Sequence, residues 1–283
     1  MESITTTVLA EGFIFLEGPR WHDGRLWMSD ILAQTVYTLT LDGQQEEVFR
    51  LPSRPSGLGF LPDGTPLVVS MKERRLFRCV GGELVVHAAL GELVRADTND
   101  MAVDSQGRAY IGNLGFDMMH RAPYEPGELV MVTPDGHARV VADDLGCPNG
   151  ICLTPDERTL VVAETLGNCL TAFDVAPDGS LSGRRQFADL GPAAPDGICM
   201  DQEGAVWVGA LSQQAFLRVR EGGEITHRVE CPGSLAIAPQ LGGEDGRTFF
   251  GLTTIGGFVD EGEPLSESRV EIARVPVPGA GSP

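Results

Sequence analysis

The chain has 283 residues, with 40 acidic against 21 basic side chains, a net charge of −19 and a pI of about 4.5. That balance leaves no basic face to neutralise phosphates, which excludes nucleic-acid binding, and an anionic membrane surface would repel the chain. No apolar run reaches the ~18 residues of a membrane span, and Met1-Glu2-Ser3-Ile4-Thr5 lacks the basic and apolar regions of a signal peptide, so a cytoplasmic protein acting on a small molecule is expected.

In chain order, one short pattern recurs six times. A polar residue opens an apolar strand, a turn follows, and a second apolar strand comes back. Glu17-Gly18-Pro19-Arg20-Trp21 opens the first copy, which turns at Asp23-Gly24 and returns through Leu26-Trp27-Met28. Ser56-Gly57-Leu58 opens the second, Asn99-Asp100-Met101 the third and Asn149-Gly150-Ile151 the fourth. Asp196-Gly197-Ile198 opens the fifth, and a weaker sixth begins Ser234-Leu235-Ala236. The openings are 38 to 50 residues apart, the length of a four-stranded propeller blade. Each copy runs on into two more strands, as in Val36-Tyr37-Thr38-Leu39 and Glu47-Val48-Phe49. Turn pairs between short apolar runs mark hairpins, and no segment reads as a long amphipathic helix. The expected fold is therefore all-β, a six-bladed β-propeller formed by residues 1–283 as a single domain. Thr5 to Leu9 is expected to supply the outer strand of the last blade and close the ring. The six cysteines are scattered without a C-x-x-C pair and read as small buried thiols.

In a propeller the first strand of every blade lines the central channel, so the six opening residues occupy equivalent places. Glu17, Ser56, Asn99, Asn149, Asp196 and Ser234 all carry a side-chain oxygen. Asn-Gly and Asp-Gly are also ordinary turn dipeptides, and any one of these alone reads as a turn. Six in one register, converging in a channel of low dielectric, would be costly if unpaired. A hard divalent cation satisfies them, since it takes oxygen ligands and two carboxylates balance its charge. Glu17, Asn149 and Asp196 are expected as direct ligands, with Asn99 direct or through water. Ca²⁺ leads this reading, with Mg²⁺, Mn²⁺ or Zn²⁺ as the other choices.

Glu17-Gly18-Pro19-x-Trp21, Asn99-Asp100, Pro148-Asn149-Gly150 and Pro195-Asp196-Gly197 resemble the senescence marker protein/gluconolactonase family, which includes regucalcin. The resemblance runs from about residue 12 to about 255 and implies a six-bladed propeller, one channel metal and lactone hydrolysis. It places the family's metal-binding Glu, Asn and Asp on Glu17, Asn149 and Asp196. A further Asn ligand of diisopropyl fluorophosphatase-like relatives falls on Asn99. Sugar lactonases of the family carry Arg two residues before that Asn, where this chain has Asp97, with Arg95 nearby; their acidic substrate contact falls near Asp117.

The ligand set and the resemblance together imply a metal-assisted attack of water on an ester carbonyl, with Asp196 as the base and Glu17 as the second choice. His22, His87, His137 and His227 read as surface or structural. The segment 113–124 is a long blade connection, the kind that carries substrate contacts. Phe116, Met118 and Met119 would supply an apolar lid there, and Asp117 and His120 polar contacts. Asp97, Asn99, Phe116, Asp117, Met118 and His120 are thus the expected substrate-binding residues. An apolar lid beside a missing Arg points to a cyclic ester less polar than a sugar lactone. The alternatives are another reaction on the same site, such as phosphoester hydrolysis or a lyase or isomerase step, or a non-catalytic metal-binding propeller.

Overall fold

In most blades the second strand is apolar on both faces, as in Leu160-Val161-Val162-Ala163. Side chains of a strand alternate between its faces, so such a strand must be covered on both sides. A computed structural model, which describes residues 1–118, 120–256 and 266–281, shows what covers them. Strands β1 (Glu2–Ile4) and β2 (Thr7–Phe13) come first. Blade one is β3 (Leu16–His22), β4 (Arg25–Asp30), β5 (Thr35–Leu39) and β6 (Gln45–Arg50). Blade two is β7 (Pro55–Phe60), β8 (Pro66–Ser70), β9 (Arg75–Val80) and β10 (Glu83–Ala89). Blade three is β11 (Thr98–Val103), β12 (Ala109–Asn113), β13 (Gly127–Val132) and β14 (Ala138–Leu145). Blade four is β15 (Pro148–Leu153), β16 (Thr159–Glu164), β17 (Cys169–Val175) and β18 (Leu181–Asp189). Blade five is β19 (Pro195–Met200), β20 (Val206–Ala210), β21 (Ala215–Val219) and β22 (Ile225–Glu230). Blade six contains β23 (Leu235–Gly242), β24 (Thr248–Ile255) and β25 (Glu267–Arg274). The six sheets form a β-propeller. Among the described residues a single 3-10 turn, Leu211–Gln213, interrupts the strands, and no helix is long and apolar enough to cross a membrane.

The ring is closed by β2, which pairs antiparallel with β25 as the fourth strand of blade six. The closing segment therefore lies at Thr7–Phe13, a little later than the Thr5 to Leu9 expected. Ahead of it, β1 adds a fifth, parallel strand to blade five, with Ser3 opposite Arg228.

The core is divided into layers between neighbouring blades. Leu160 and Val162 pack with Tyr110 and Leu129 of blade three. Val161 and Ala163, one residue on, pack with Ile198 and Val208 of blade five. Such alternation is the reason a blade is stable only inside the ring. Cys147, Cys152, Cys199 and Cys231 are buried free thiols, as expected, whereas Cys79 and Cys169 are half-buried.

Inner strands approach so closely that some positions admit no side chain. A Cβ on Gly57 of β7 would lie 2.5 Å from the Met101 amide nitrogen of β11, backbone that cannot swing aside. Gly57→Ala is expected to lower stability by about 1–3 kcal/mol, the cost of overpacking a tight core. Gly91→Ala, where the new Cβ would meet only the Arg74 side chain at 3.8 Å, is the control and should be near neutral. Urea midpoints compare the two; equal midpoints would show that the inner strands can spread.

Candidate metal centre and channel mouth

The opening residue of each of the first five blades sits at a β-bulge. The register breaks between Glu17 and Arg20, Pro55 and Leu58, Thr98 and Met101, Pro148 and Ile151, and Pro195 and Ile198. A bulge re-aims a side chain that regular pairing would send to a blade face. All six opening residues are buried: Glu17, Ser56, Asn99, Asn149, Asp196 and Ser234.

Several of these side chains touch. Asn149 donates through Nδ2 to Asp196 Oδ1, and again to Thr165 Oγ1 at 3.3 Å. Ser56 Oγ donates to Asn99 Oδ1 at 2.9 Å. Glu17 Oε2 accepts the Gly18 N–H at 3.1 Å. Asn149 Oδ1, in contrast, is buried with no hydrogen-bond partner. A buried carbonyl oxygen left in that state costs roughly 1–3 kcal/mol.

The charges point the same way. Burial, followed by the Asp196 and Asp100 carboxylates, pushes Glu17 well above the usual carboxylate range. Burial pushes Asp196 up to about 7 against the opposing Asn149 hydrogen bond, and the Asp100 charge adds to the rise. Below them a buried ion pair spans two blades, Arg20 Nη2 to Asp100 Oδ1 at 2.7 Å. Arg20 also donates to the Pro19 carbonyl at 2.8 Å and to the Met101 carbonyl. It lines, with Cys152, Cys199, Gln240 and Ala280, a small cavity of about 40 Å³ farther down the inner strands. When ionised, the three carboxylates and one guanidinium leave a net charge of −2. An orphaned carbonyl oxygen, oxygen-only donors and two uncompensated negative charges fit a hard divalent cation. Among the described residues no three His, Cys, Asp or Glu side chains gather as a metal cluster, so the fit depends on the carboxamides.

The other expected residues lie at the channel end where the inner strands begin. Asp97 pairs with Lys72 of blade two at 3.3 Å, and its carbonyl accepts the Leu114 N–H at 2.9 Å. Asp117 pairs with His120 Nδ1 at 2.7 Å, both exposed, and that hydrogen bond, reinforced by the His120 backbone N–H, holds the Asp117 carboxyl below its usual range. Arg95 turns to Glu125 and Glu128. Phe116 is half-buried edge-on to Tyr124, with ring centroids 5.5 Å apart, and Met118 is exposed. Met119 lies outside the described residues. The structure thus brings Asn149 to Asp196 and Asp117 to His120, and it joins Asp97 to Lys72, which is not among the expected site residues. It also adds the Arg20–Asp100 pair. Arg20 had a signal, since it lies inside the first opening motif; Lys72 had one too, as the chain's single lysine.

This geometry defines a class: a six-bladed β-propeller whose channel is lined at one end by buried carboxylates and carboxamides. The chain belongs to the SMP-30/Gluconolactonase/LRE-like family, whose sequence pattern matches residues 15–255. Among its relatives is a 6-deoxy-6-sulfogluconolactonase from Pseudomonas putida, 25% identical over 263 residues, covering 88% of this chain and 87% of that protein. In fold it is similar to a calcium-binding protein, regucalcin, from Agrobacterium tumefaciens (24% identity, TM-score 0.79, 99% of each chain covered). A gluconolactonase from Xanthomonas campestris shares the fold at 23% identity and a TM-score of 0.77, with 95% of this chain and 89% of that one covered.

Proposed function

We propose that this chain is a divalent-metal-dependent lactonase. The observation that carries the reading is the buried trio Glu17, Asn149 and Asp196, with an unpartnered Asn149 Oδ1 beside two carboxylates short of counter-charge. Membership of a family that includes gluconolactonases supplies the reaction class. Glu17, Asn149 and Asp196 would hold the cation, with Asn99 as a fourth donor. Those residues would give a divalent ion its place, and its chemistry there would be that of a Lewis acid toward the ester carbonyl oxygen. Asp196 accepts the proton of the attacking water as its oxygen bonds to the carbonyl carbon. The ring C–O bond breaks, the alkoxide oxygen takes that proton back from Asp196, and the hydroxy acid leaves. Glu17 orients and does not transfer protons. A pH-indicator assay over a lactone panel, with and without chelator, tests the reading; no turnover of any lactone with metal present overturns it.

The substrate we propose has a body less polar than a sugar lactone, held against Phe116 and Met118, with Asp97, Asn99, Asp117 and His120 as polar contacts. Phe116→Ala and Met118→Ala are expected to weaken preference for an alkyl or aromatic lactone over gluconolactone of the same ring size. The loss should be graded, about 1–3 kcal/mol in relative kcat/KM. Metal affinity should stay at the parent value, because no proposed ligand lies in this segment. Unchanged preference ratios in both variants would show that the segment is only surface.

A further inference from the structure

Among the described residues, the one that follows the second strand of a blade has the same backbone duty in blades one to five. Its N–H donates to the carbonyl of the residue two places before the opening residue. Ile31 donates to Phe15 at 2.9 Å, Met71 to Arg54 at 2.9 Å, Leu114 to Asp97 at 2.9 Å, Thr165 to Cys147 at 3.1 Å and Leu211 to Ala194 at 3.2 Å. Any side chain permits that bond, and four of these five blades carry a large apolar one. Blade four alone of the five places a hydroxyl there. The backbone pattern does not require it, so its reason lies in what the hydroxyl touches.

Thr165 reaches both inner strands that carry the trio's last two members. Its hydroxyl donates to the Pro195 carbonyl at 2.7 Å, on the residue just before Asp196. A peptide carbonyl only accepts, so the one hydroxyl proton is committed there. What Thr165 Oγ1 offers to Asn149 is therefore a lone pair, and Asn149 Nδ2 donates to it at 3.3 Å. The second Nδ2 hydrogen goes to Asp196 Oδ1. With the carboxamide turned over, its oxygen would face a lone pair and a carboxylate oxygen, and both bonds would be lost. Two acceptors thus fix which end of the amide points where, and Oδ1 is left as the buried oxygen without a partner. The Cys147 thiol is a further neighbour of the hydroxyl, whose oxygen has a second lone pair to offer it.

We infer that Thr165 is a positioning residue of the metal centre: its hydroxyl, anchored on Pro195 of the neighbouring blade, holds the Asn149 carboxamide so that Oδ1 is free for the cation. This rests on the metal-dependent reading and is tested apart from turnover, by calorimetric titration of the metal-free full chain with Ca²⁺ and with Mn²⁺. Thr165→Val keeps the branching, the volume and the backbone bond and removes the hydroxyl. Its Kd should rise about tenfold or more, the scale for losing a group that orients a metal ligand. Thr165→Ser keeps the hydroxyl and should stay near the wild-type Kd, a rescue that a packing role would not give. Urea unfolding of each metal-free variant shows whether it folds cooperatively. Unchanged affinity in Thr165→Val overturns the positioning role and leaves the metal-dependent reading standing. Equal loss in Thr165→Val and Thr165→Ser, or a metal-free Thr165→Val without a cooperative transition, marks a packing role and overturns it too. A wild-type chain that binds neither Ca²⁺ nor Mn²⁺ overturns both.

Discussion

Asp196→Asn is expected to lower the rate of lactone hydrolysis at least ~10²-fold while a divalent ion stays bound, the scale for loss of a positioned base. The substitution suits the question because it is nearly isosteric at a buried position. Asn149 Nδ2 now donates to Asp196 Oδ1, and the amide oxygen of the variant can accept the same bond. An oxygen donor for the cation also remains, and what disappears is a carboxylate able to take a proton. One negative charge is removed from the chamber, so metal affinity should weaken. Assays are therefore run at metal concentrations shown by calorimetry to saturate the variant. A rate near wild type with metal held would sink Asp196 as the base and turn attention to Glu17. Glu17→Gln, in contrast, should raise the metal concentration required more than it lowers the saturated rate.

Chelation is expected to abolish hydrolysis, and added Ca²⁺, Mg²⁺ or Mn²⁺ to restore it. The chamber confines Glu17, Asp196 and Asp100 with one guanidinium, and burial raises all three carboxyls. Like charges in a low-dielectric space repel strongly, and a divalent ion cancels the excess. Binding to the folded state alone adds stability, about 2.7 kcal/mol at a hundred times Kd. For a chain of this length that corresponds to a rise on the order of 5 °C in melting temperature. Calorimetric melting before and after chelation measures it, and elemental analysis establishes the metal content. Full activity in a preparation shown to be metal-free would end the metal-dependent reading, whatever the melting temperature did.

Much of the architecture was legible from local chemistry. Apolar strands bounded by Asp-Gly and Pro-Asp turns repeat at blade length, and this periodicity depends only on neighbours along the chain. It marked six blades and, through the equivalence of first strands, the register that buries Glu17, Asn99, Asn149 and Asp196. Shared register is what six copies of one supersecondary unit impose when they close into a ring.

Other features needed the closed ring. The bulges at the opening residues arise where inner strands crowd the axis, and no residue pattern spells them out. Arg20 and Asp100 are 80 positions apart in sequence, and they meet only because blades one and three converge below the buried trio of Glu17, Asn149 and Asp196. Lys72 and Asp97 belong to different blades and meet where the β8–β9 connection is fastened to the start of β11. Asp97 stands where the resemblance implies an Arg, and a cation is nonetheless present beside it, carried by the neighbouring blade. Sequence by itself determined which residues share a level in the channel, because strand alternation and repeat length are local. Only the tertiary structure decided which of them touch, because contacts between blades depend on ring closure and on how the connections pack across it.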